Sequence, residues 1–297
     1  MQYRYLGSSD LHTSVIGLGC MSLGTDHHQN ERLLHCALDH GINFFDTADL
    51  YDDGENEVSL GKAFKGRREE VIIATKVGNQ LMPDGEGWEW NPSKSYIKSS
   101  VHDSLRRLQT DYIDLYQLHG GTIEDPIEET VEAFEELKQE GYIREYGISS
   151  IRPNTIRSWV DKSNMVSVMT QYSLLDRRPE EFTLDFLHQH GVGLIVRGAL
   201  AKGFLIDKEP MDILGHSRAK ILYIQQRLKE WSSPGMGPAQ LALQFALSHP
   251  GVATIAVGAS SIEQIKENAK AGQSSPSEEL ISAMNEMTPA LTYEQHR

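Results

Sequence analysis

Short apolar runs alternate with longer amphipathic ones along nearly the whole chain. Eight runs read as strands: Ser14–Gly19, Asn43–Ala48, Val71–Lys76, Ile113–His119, Tyr146–Ser149, Val166–Gln171, Gly193–Arg197 and Thr254–Val257. Each is apolar and bounded by turn residues, as strands buried on both faces are. Between them lie helical patterns. Glu31–His40 has apolar positions at Leu33, Leu34, Ala37 and Leu38 and stops at Gly41. Glu55–Phe64, Lys94–Leu108, Ile127–Glu140, Thr155–Asp161, Glu181–His190, Pro238–Ser248 and Ile262–Ala271 follow the same spacing. Pro238 begins its helix, where a missing N–H costs nothing.

Eight strands alternating with eight helices predict a closed (β/α)8 TIM barrel, one α/β domain spanning residues 1–297. The competing open sheet usually carries a G-x-G-x-x-G turn after its first strand. Here that strand runs into GLGCMSLG, Gly17–Gly24, which lacks the spacing. The opening segment Gln2–Leu11 alternates weakly and predicts a β-hairpin cap over the closed end of the barrel. Two connections are long, Gln80–Pro92 and Leu200–Gly237, the second with a helical stretch at Arg218–Trp231. Both leave strand C-termini, the face where barrel active sites lie, so they read as functional loops.

Composition narrows the partners. With 39% hydrophobic and 24% charged residues, the chain is an ordinary globular sequence. A net charge of −14 argues against nucleic acid and against an anionic membrane surface, which leaves a small molecule as the expected partner. The two cysteines, Cys20 and Cys36, form no metal-ligand motif and read as free thiols of a reducing, cytoplasmic compartment. The first residues, MQYRYLGSSDLHTS, are not a signal peptide, and no apolar stretch reaches the length of a membrane span. His27 and His28 lack the companions of a metal site, so no metal is expected.

Four groups sit where strands end at the predicted open face. Asp46 lies in the second strand, Tyr51 on the loop that leaves it, Lys76 ends the third strand and His119 the fourth. Buried Lys and Asp are costly apart and tolerable together, so a barrel-mouth ion pair is the plain structural reading. The joint placement of all four on consecutive strands points to chemistry. Hydride transfer to a carbonyl builds negative charge on oxygen, which must be protonated. Tyr is a weak acid with an unperturbed pKa of about 10, and a nearby ammonium lowers it. Lys76 would do this, Asp46 would hold Lys76 charged, and His119 would donate a hydrogen bond to the substrate oxygen.

The segments Asn43–Tyr51 (NFFDTADLY), Val71–Lys76 (VIIATK), Asp111–His119 (DYIDLYQLH), Gly147–Ser150 (GISS), Gln171–Leu175 (QYSLL) and Gly258–Asn268 (GASSIEQIKEN) together resemble the aldo-keto reductase superfamily, in particular its bacterial NADPH-dependent members. The resemblance covers nearly the whole chain. It implies carbonyl reduction by NADPH, with NADH possible, and a catalytic tetrad of Asp46, Tyr51, Lys76 and His119. It also implies a cofactor groove. Gly19, Cys20, Met21 and Asp46 would border the nicotinamide, and Ser149, Ser150 and Gln171 would bond its carboxamide. Arg197 stands where many members have a stacking aromatic. Gly198, Ala199, Leu200, Lys202 and Gly203 would run along the pyrophosphate. Gly258, Ser260, Gln264, Glu267 and Asn268 would hold the adenosine end.

Gly258 and Gln264 depart from the lysine and arginine that serve the 2′-phosphate in many members. What remains there is a helix start with free N–H groups, Ser260 and Ser261. After His119 many members have a bulky residue; Gly120 and Gly121 leave that pocket wall open. Trp88 and Trp90 either shape the pocket or pack under their loop. Glu55 reads as a favourable charge at a helix N-terminus. Two alternatives accompany the resemblance: a cofactor-binding subunit of the potassium-channel β type, and an NAD-linked sugar dehydrogenase. A monomer favours the enzyme over the channel subunit.

Overall fold

The computed structural model describes residues 1–82 and 87–297; the middle of the long connection Gln80–Pro92 lies outside them. The barrel strands are β3 (Ile16–Gly19), β4 (Phe44–Asp46), β5 (Ile72–Val77), β8 (Ile113–Leu118), β9 (Ile143–Ser149), β10 (Ser167–Gln171), β11 (Gly193–Arg197) and β12 (Val252–Val257). They close in the order β10-β11-β12-β3-β4-β5-β8-β9, all parallel. The predicted TIM barrel is therefore the fold.

Alternation within each strand sets what fills the barrel. Phe44, Ile72, Ala74, Leu115, Met169 and Ile195 form one buried apolar cluster with Leu6 and Leu11. Those last two come from the N-terminal hairpin, in which β1 (Tyr3–Tyr5) pairs antiparallel with β2 (His12–Ser14). The hairpin thus plugs the closed end. One pleat further along the same strands, two residues on, the inward positions become Asp46, Lys76 and Gln117. Polarity is confined to the open end because the plug leaves it nowhere else.

Outside the strands lie α1 (His27–Asp39), α2 (Glu55–Ala63), α3 (Lys94–Leu108), α4 (Ile127–Gln139), α5 (Pro153–Lys162), α6 (Thr183–Gln189), α8 (Pro238–Leu247) and α9 (Ile262–Ala271). Their apolar faces pack on the outward side chains, for instance Phe45 against Phe64 at 4.6 Å between ring centroids. Helix α1 starts four residues earlier than its apolar pattern suggests, because the Asp26 carboxylate accepts the His28 and Gln29 N–H groups. His27 and His28 are thus first-turn residues, and His27 bonds Ser59 and Glu55 of α2.

Further elements among the described residues lie beyond the eightfold repeat. Helix α7 (Arg218–Glu230) occupies the predicted helical stretch of the long β11 connection. In the other long connection, β6 (Asn79–Leu81) pairs antiparallel with β7 (Trp88–Trp90). Helix α10 (Glu278–Met287) was not anticipated, although its signals are present: Ser277 caps it, two glutamates open it, and Met284 and Met287 are buried. Both cysteines are free thiols, Cys20 buried and Cys36 half-buried. Among the described residues no helix is long and apolar enough to cross a membrane.

The plug depends on one backbone position. Gly7 has φ +59°, and a Cβ there would lie 2.3 Å from the Val166 carbonyl oxygen. Gly7→Ala should therefore destabilise the fold by about 2–4 kcal/mol, read from urea denaturation. An unchanged midpoint would show that the hairpin does not seal the barrel.

Candidate active site

Strand ends bring the polar groups together. Lys76 Nζ donates to Asp46 Oδ2 at 2.8 Å and to the Thr47 carbonyl at 2.6 Å. It also lies 3.4 Å from the Tyr51 hydroxyl. Lys76 is 1% exposed and Asp46 5%, so this is a buried ion pair. Gln117 Nε2 supports the other Asp46 oxygen at 3.4 Å. The His119 ring stands edge-on to Tyr51, with centroids 5.8 Å apart. All four predicted residues thus share one spot at the barrel mouth.

Burial alone would lower the Lys76 ammonium; the Asp46 carboxylate and Tyr51 reverse this and hold it above its usual range. Burial pushes the Tyr51 phenol up, and Lys76 opposes this only in part. The sequence reading had Lys76 lowering the phenol below its ordinary value. The structure corrects this: desolvation outweighs the ammonium, and the phenol stays protonated throughout the neutral range. His119 is pushed down to about 3, first by burial and then by the charges of Lys76 and Arg197. It is a neutral imidazole, and its Nδ1 is buried without a partner among the described residues.

The other predicted cofactor residues stand at the C-terminal ends of β3, β9, β10, β11 and β12 and on the turns that follow them. Arg197 is exposed at the end of β11 and donates to Gln171 Oε1 at 3.2 Å. Gly198 turns the chain with φ +72°, and Ala201, Lys202 and Gly203 follow at +48°, +55° and +89°. Among the described residues neither Arg197 nor Lys202 forms an ion pair, although the chain is acidic overall. Ser149 ends β9, and the Ser150 N–H donates to the Met169 carbonyl at 2.9 Å. Met21 is 70% exposed beside Gly19. Cys20 is a buried packing residue: its thiol is turned to the Leu18 carbonyl and its own carbonyl accepts from Asn56. Ala199 is likewise buried.

The far end of the groove also differs from the sequence reading. Ser260 donates its N–H to Gln264 Oε1 at 2.8 Å, and the Gln264 N–H goes to Ser261 Oγ at 3.2 Å. These two N–H groups are therefore not free. Gly258 is small because Ser22 lies against it; a Cβ there would meet Ser22 Oγ at 3.2 Å. Asn268 is buried and lies 3.4 Å from the Gly258 carbonyl, whereas Glu267 is exposed.

A model of the Aldo/keto reductase family matches residues 15–288. The chain belongs to this family of oxidoreductases. It is 50% identical to the Bacillus subtilis protein named uncharacterized oxidoreductase YqkF, over 100% of both chains. Its structure is similar to the holo form of aldo-keto reductase AKR11C1 from Bacillus halodurans, with TM-score 0.94, 53% identity and coverage of 100% and 99%. The apo form of that protein superposes with TM-score 0.87, also over 100% and 99%. An aldo/keto reductase from Klebsiella pneumoniae in complex with NADP and acetate is 27% identical, with TM-score 0.79 over 100% and 99%.

In this aldo/keto reductase Asn56, Glu57, Arg107 and Asp49 escaped the sequence reading, whereas Trp90 had two readings. Trp90 Nε1 donates to Asp125 Oδ1 at 3.1 Å, and the indole lies 3.4 Å from where a Gly120 Cβ would stand. The wall beside His119 is thus filled by Trp90, not left open by Gly120; Trp88 remains 53% exposed. Asn56 accepts from Thr47 Oγ1 at 2.7 Å and donates to the Cys20 carbonyl, tying the ends of β3 and β4. Behind β5, fully buried Glu57 accepts from Thr75 Oγ1 and Arg107 Nε, both at 2.6 Å. The segment carrying Tyr51 rests on this pair: Asp52, Asp53 and Gly54 all have positive φ, and a Gly54 Cβ would lie 2.7 Å from Arg107 Cδ. Asp49 is buried beside it and raised to about 7, by desolvation first and then by the Glu57 charge.

His119 and Asp49 predict opposed effects of pH on stability. The folded His119 sheds its proton that the unfolded chain keeps, so its stabilisation is lost as pH falls from about 6.5 to 3. Folded Asp49 keeps a proton that the unfolded chain sheds, so its contribution is lost as pH rises from about 4 to 7. Relative to wild type, His119→Asn should remove at most about 1.4 kcal/mol of acid loss per pH unit. Asp49→Asn should remove a similar loss in the opposite direction. Chemical denaturation across pH 3–7 measures both, and parallel curves for all three proteins would refute the assignment.

Proposed function

We propose that this aldo/keto reductase reduces small aldehydes or ketones to alcohols with a nicotinamide cofactor, NADPH in preference to NADH, and that Tyr51 is its proton donor. Residues 1–297 act as one catalytic domain and as a monomer. The observation that carries the reading is the Tyr51 hydroxyl 3.4 Å from the buried Lys76 ammonium, which is itself locked to Asp46.

The chemistry follows from these groups. When bound, the reduced nicotinamide supplies a hydride to the substrate carbon. Tyr51 gives its proton to the carbonyl oxygen as charge develops there, and Lys76 stabilises the phenolate left behind. Asp46 keeps Lys76 charged and in place. Neutral His119 can donate one hydrogen bond to the same oxygen without competing for the proton. Trp90 bounds the space for the substrate beside His119.

The groove fits the cofactor by its donor set. Lys202, without an ion pair among the described residues, is a cation for a diphosphate, the planar Arg197 guanidinium would stack on the nicotinamide, and the exposed backbone at Gly198 permits close approach. Gly19, Met21, Ser149, Ser150 and Gln171 would surround the nicotinamide, with Ala199, Leu200 and Gly203 along the diphosphate. Gly258, Ser260, Gln264, Glu267 and Asn268 would meet the adenosine end. The similarity to a holo form and to an NADP complex supports this use of the groove.

Tyr51→Phe should lower turnover of a small aldehyde by about 10²–10⁴-fold while NADPH affinity stays within threefold. Wild-type turnover in that variant would remove Tyr51 from the mechanism. Quenching of tryptophan fluorescence should give a lower Kd for NADPH than for NADH; equal or tighter NADH binding would reverse the cofactor preference.

A further inference from the structure

The turn after β10 holds a chain of groups that the reaction does not use directly. Asp176 is fully buried. Its two oxygens accept from Arg178 Nε and Nη2 at 2.7 and 2.6 Å. Asp176 Oδ2 also accepts from Gln171 Nε2 at 3.0 Å, and Gln171 Oε1 accepts from Arg197 Nη1 at 3.2 Å. The Asp176 backbone is pinned as well. Ser173 and Asp176 each donate an N–H to the other's carbonyl, at 3.2 and 3.0 Å, and Ser173 Oγ lies 3.1 Å from the Asp176 nitrogen. From behind, the Arg178 guanidinium lies 5.3 Å from the ring centroid of Tyr293, a buried residue of the C-terminal segment.

This chain fixes an orientation that an amide does not normally have. The two ends of a glutamine amide are nearly the same shape but opposite in hydrogen-bonding sense. A carboxylate only accepts and a guanidinium only donates. With Asp176 on one side and Arg197 on the other, the NH2 must face Asp176 and the carbonyl must face Arg197. A flipped amide would set oxygen against carboxylate and NH2 against guanidinium.

We propose that Asp176 is a positioning residue for the cofactor groove. It locks the Gln171 amide so that Oε1 faces the groove as an acceptor for the amide N–H of a nicotinamide, and Arg178 and Tyr293 hold Asp176 from the C-terminal segment. This rests on the reading of the groove given above. Asp176→Asn keeps the shape but replaces one acceptor with a donor, which favours the flipped amide.

Titration of tryptophan fluorescence with NADPH tests this on the full chain, using wild type, Asp176→Asn, Gln171→Ala and the double variant. Each single substitution should raise Kd about tenfold, the worth of one good hydrogen bond, and the double no more than the larger single. At saturating NADPH, kcat of Asp176→Asn should change less than threefold. Arg178→Lys, at a partly exposed position, provides a second arm if Asp176→Asn fails to fold. It should raise Kd about threefold, and this effect should vanish in the Gln171→Ala background. A Kd within twofold of wild type for the folded single variants, or additive effects in the doubles, would overturn the role of Asp176. Failure of the wild type to bind either NADPH or NADH would overturn the cofactor reading and this inference with it.

Discussion

The buried pair of Lys76 and Asp46 is the interaction on which the rest of the site depends. An ammonium that is 1% exposed is tolerable only where acceptors replace its water. Asp46 supplies one at 2.8 Å and the Thr47 carbonyl another at 2.6 Å. Removing either charge would leave its partner buried and unpaired, a loss of about 3–5 kcal/mol. The pair therefore fixes the relative register of β4 and β5 at the mouth, and Tyr51 takes its position from the same ammonium. The apolar plug below, closed by Leu6 and Leu11, makes the arrangement directional. With the lower barrel dry and filled, polar side chains of the inward column can be solvated or paired only at the open end.

Strand β5 carries two networks because its side chains alternate. Lys76 points inward to Asp46, whereas its neighbour Thr75 points outward to Glu57, which is paired with Arg107. The loop bearing Tyr51 bridges the two sides. Its first part is held by the Asp49 N–H on the Lys76 carbonyl, and its last part lies on Arg107 at Gly54. Three successive positive φ angles at Asp52, Asp53 and Gly54 are an unfavourable backbone path. The packing on Arg107 shows what holds the path, and the reward is a tyrosine whose hydroxyl reaches back over the barrel mouth.

Much of this was legible in the sequence, for a physical reason. Strands buried on both faces read as apolar runs, helices as a 3.6-residue period, and the alternation of the two admits few folds. The tetrad was legible because charged residues at the ends of otherwise apolar strands are conspicuous. Contacts between distant segments were not. Nothing in the local sequence ties Trp90 to Asp125 or lays the indole over Gly120, so a glycine read as open space proved to be the floor under a ring. The sign of the Tyr51 shift was misjudged similarly: the ammonium could be inferred from the pattern, but the depth of burial that outweighs it could not. Helix α10 was passed over because the eightfold repeat was already complete, although Ser277 and the two glutamates after it mark its start.

The far end of the groove carries the same lesson to the choice of cofactor. Gly258 and Gln264 were read as missing cations, which makes specificity there an absence. In the structure each has a positive cause. Ser22 fills the space at Gly258, with its hydroxyl 2.9 Å from the Ala259 nitrogen, and so joins the turns after β3 and β12. Gln264 closes the start of α9 by accepting from Ser260. On the proposed reading, a 2′-phosphate there would have to compete with an uncharged acceptor for the Ser260 N–H. Lys202, without an ion pair among the described residues, stands elsewhere, on the turn after β11. The electrostatic share of affinity then falls on the diphosphate, which NADPH and NADH have in common. On the same proposed reading, the preference between them would rest on how readily the Gln264 side chain yields, a neutral hydrogen bond, rather than on an ion pair.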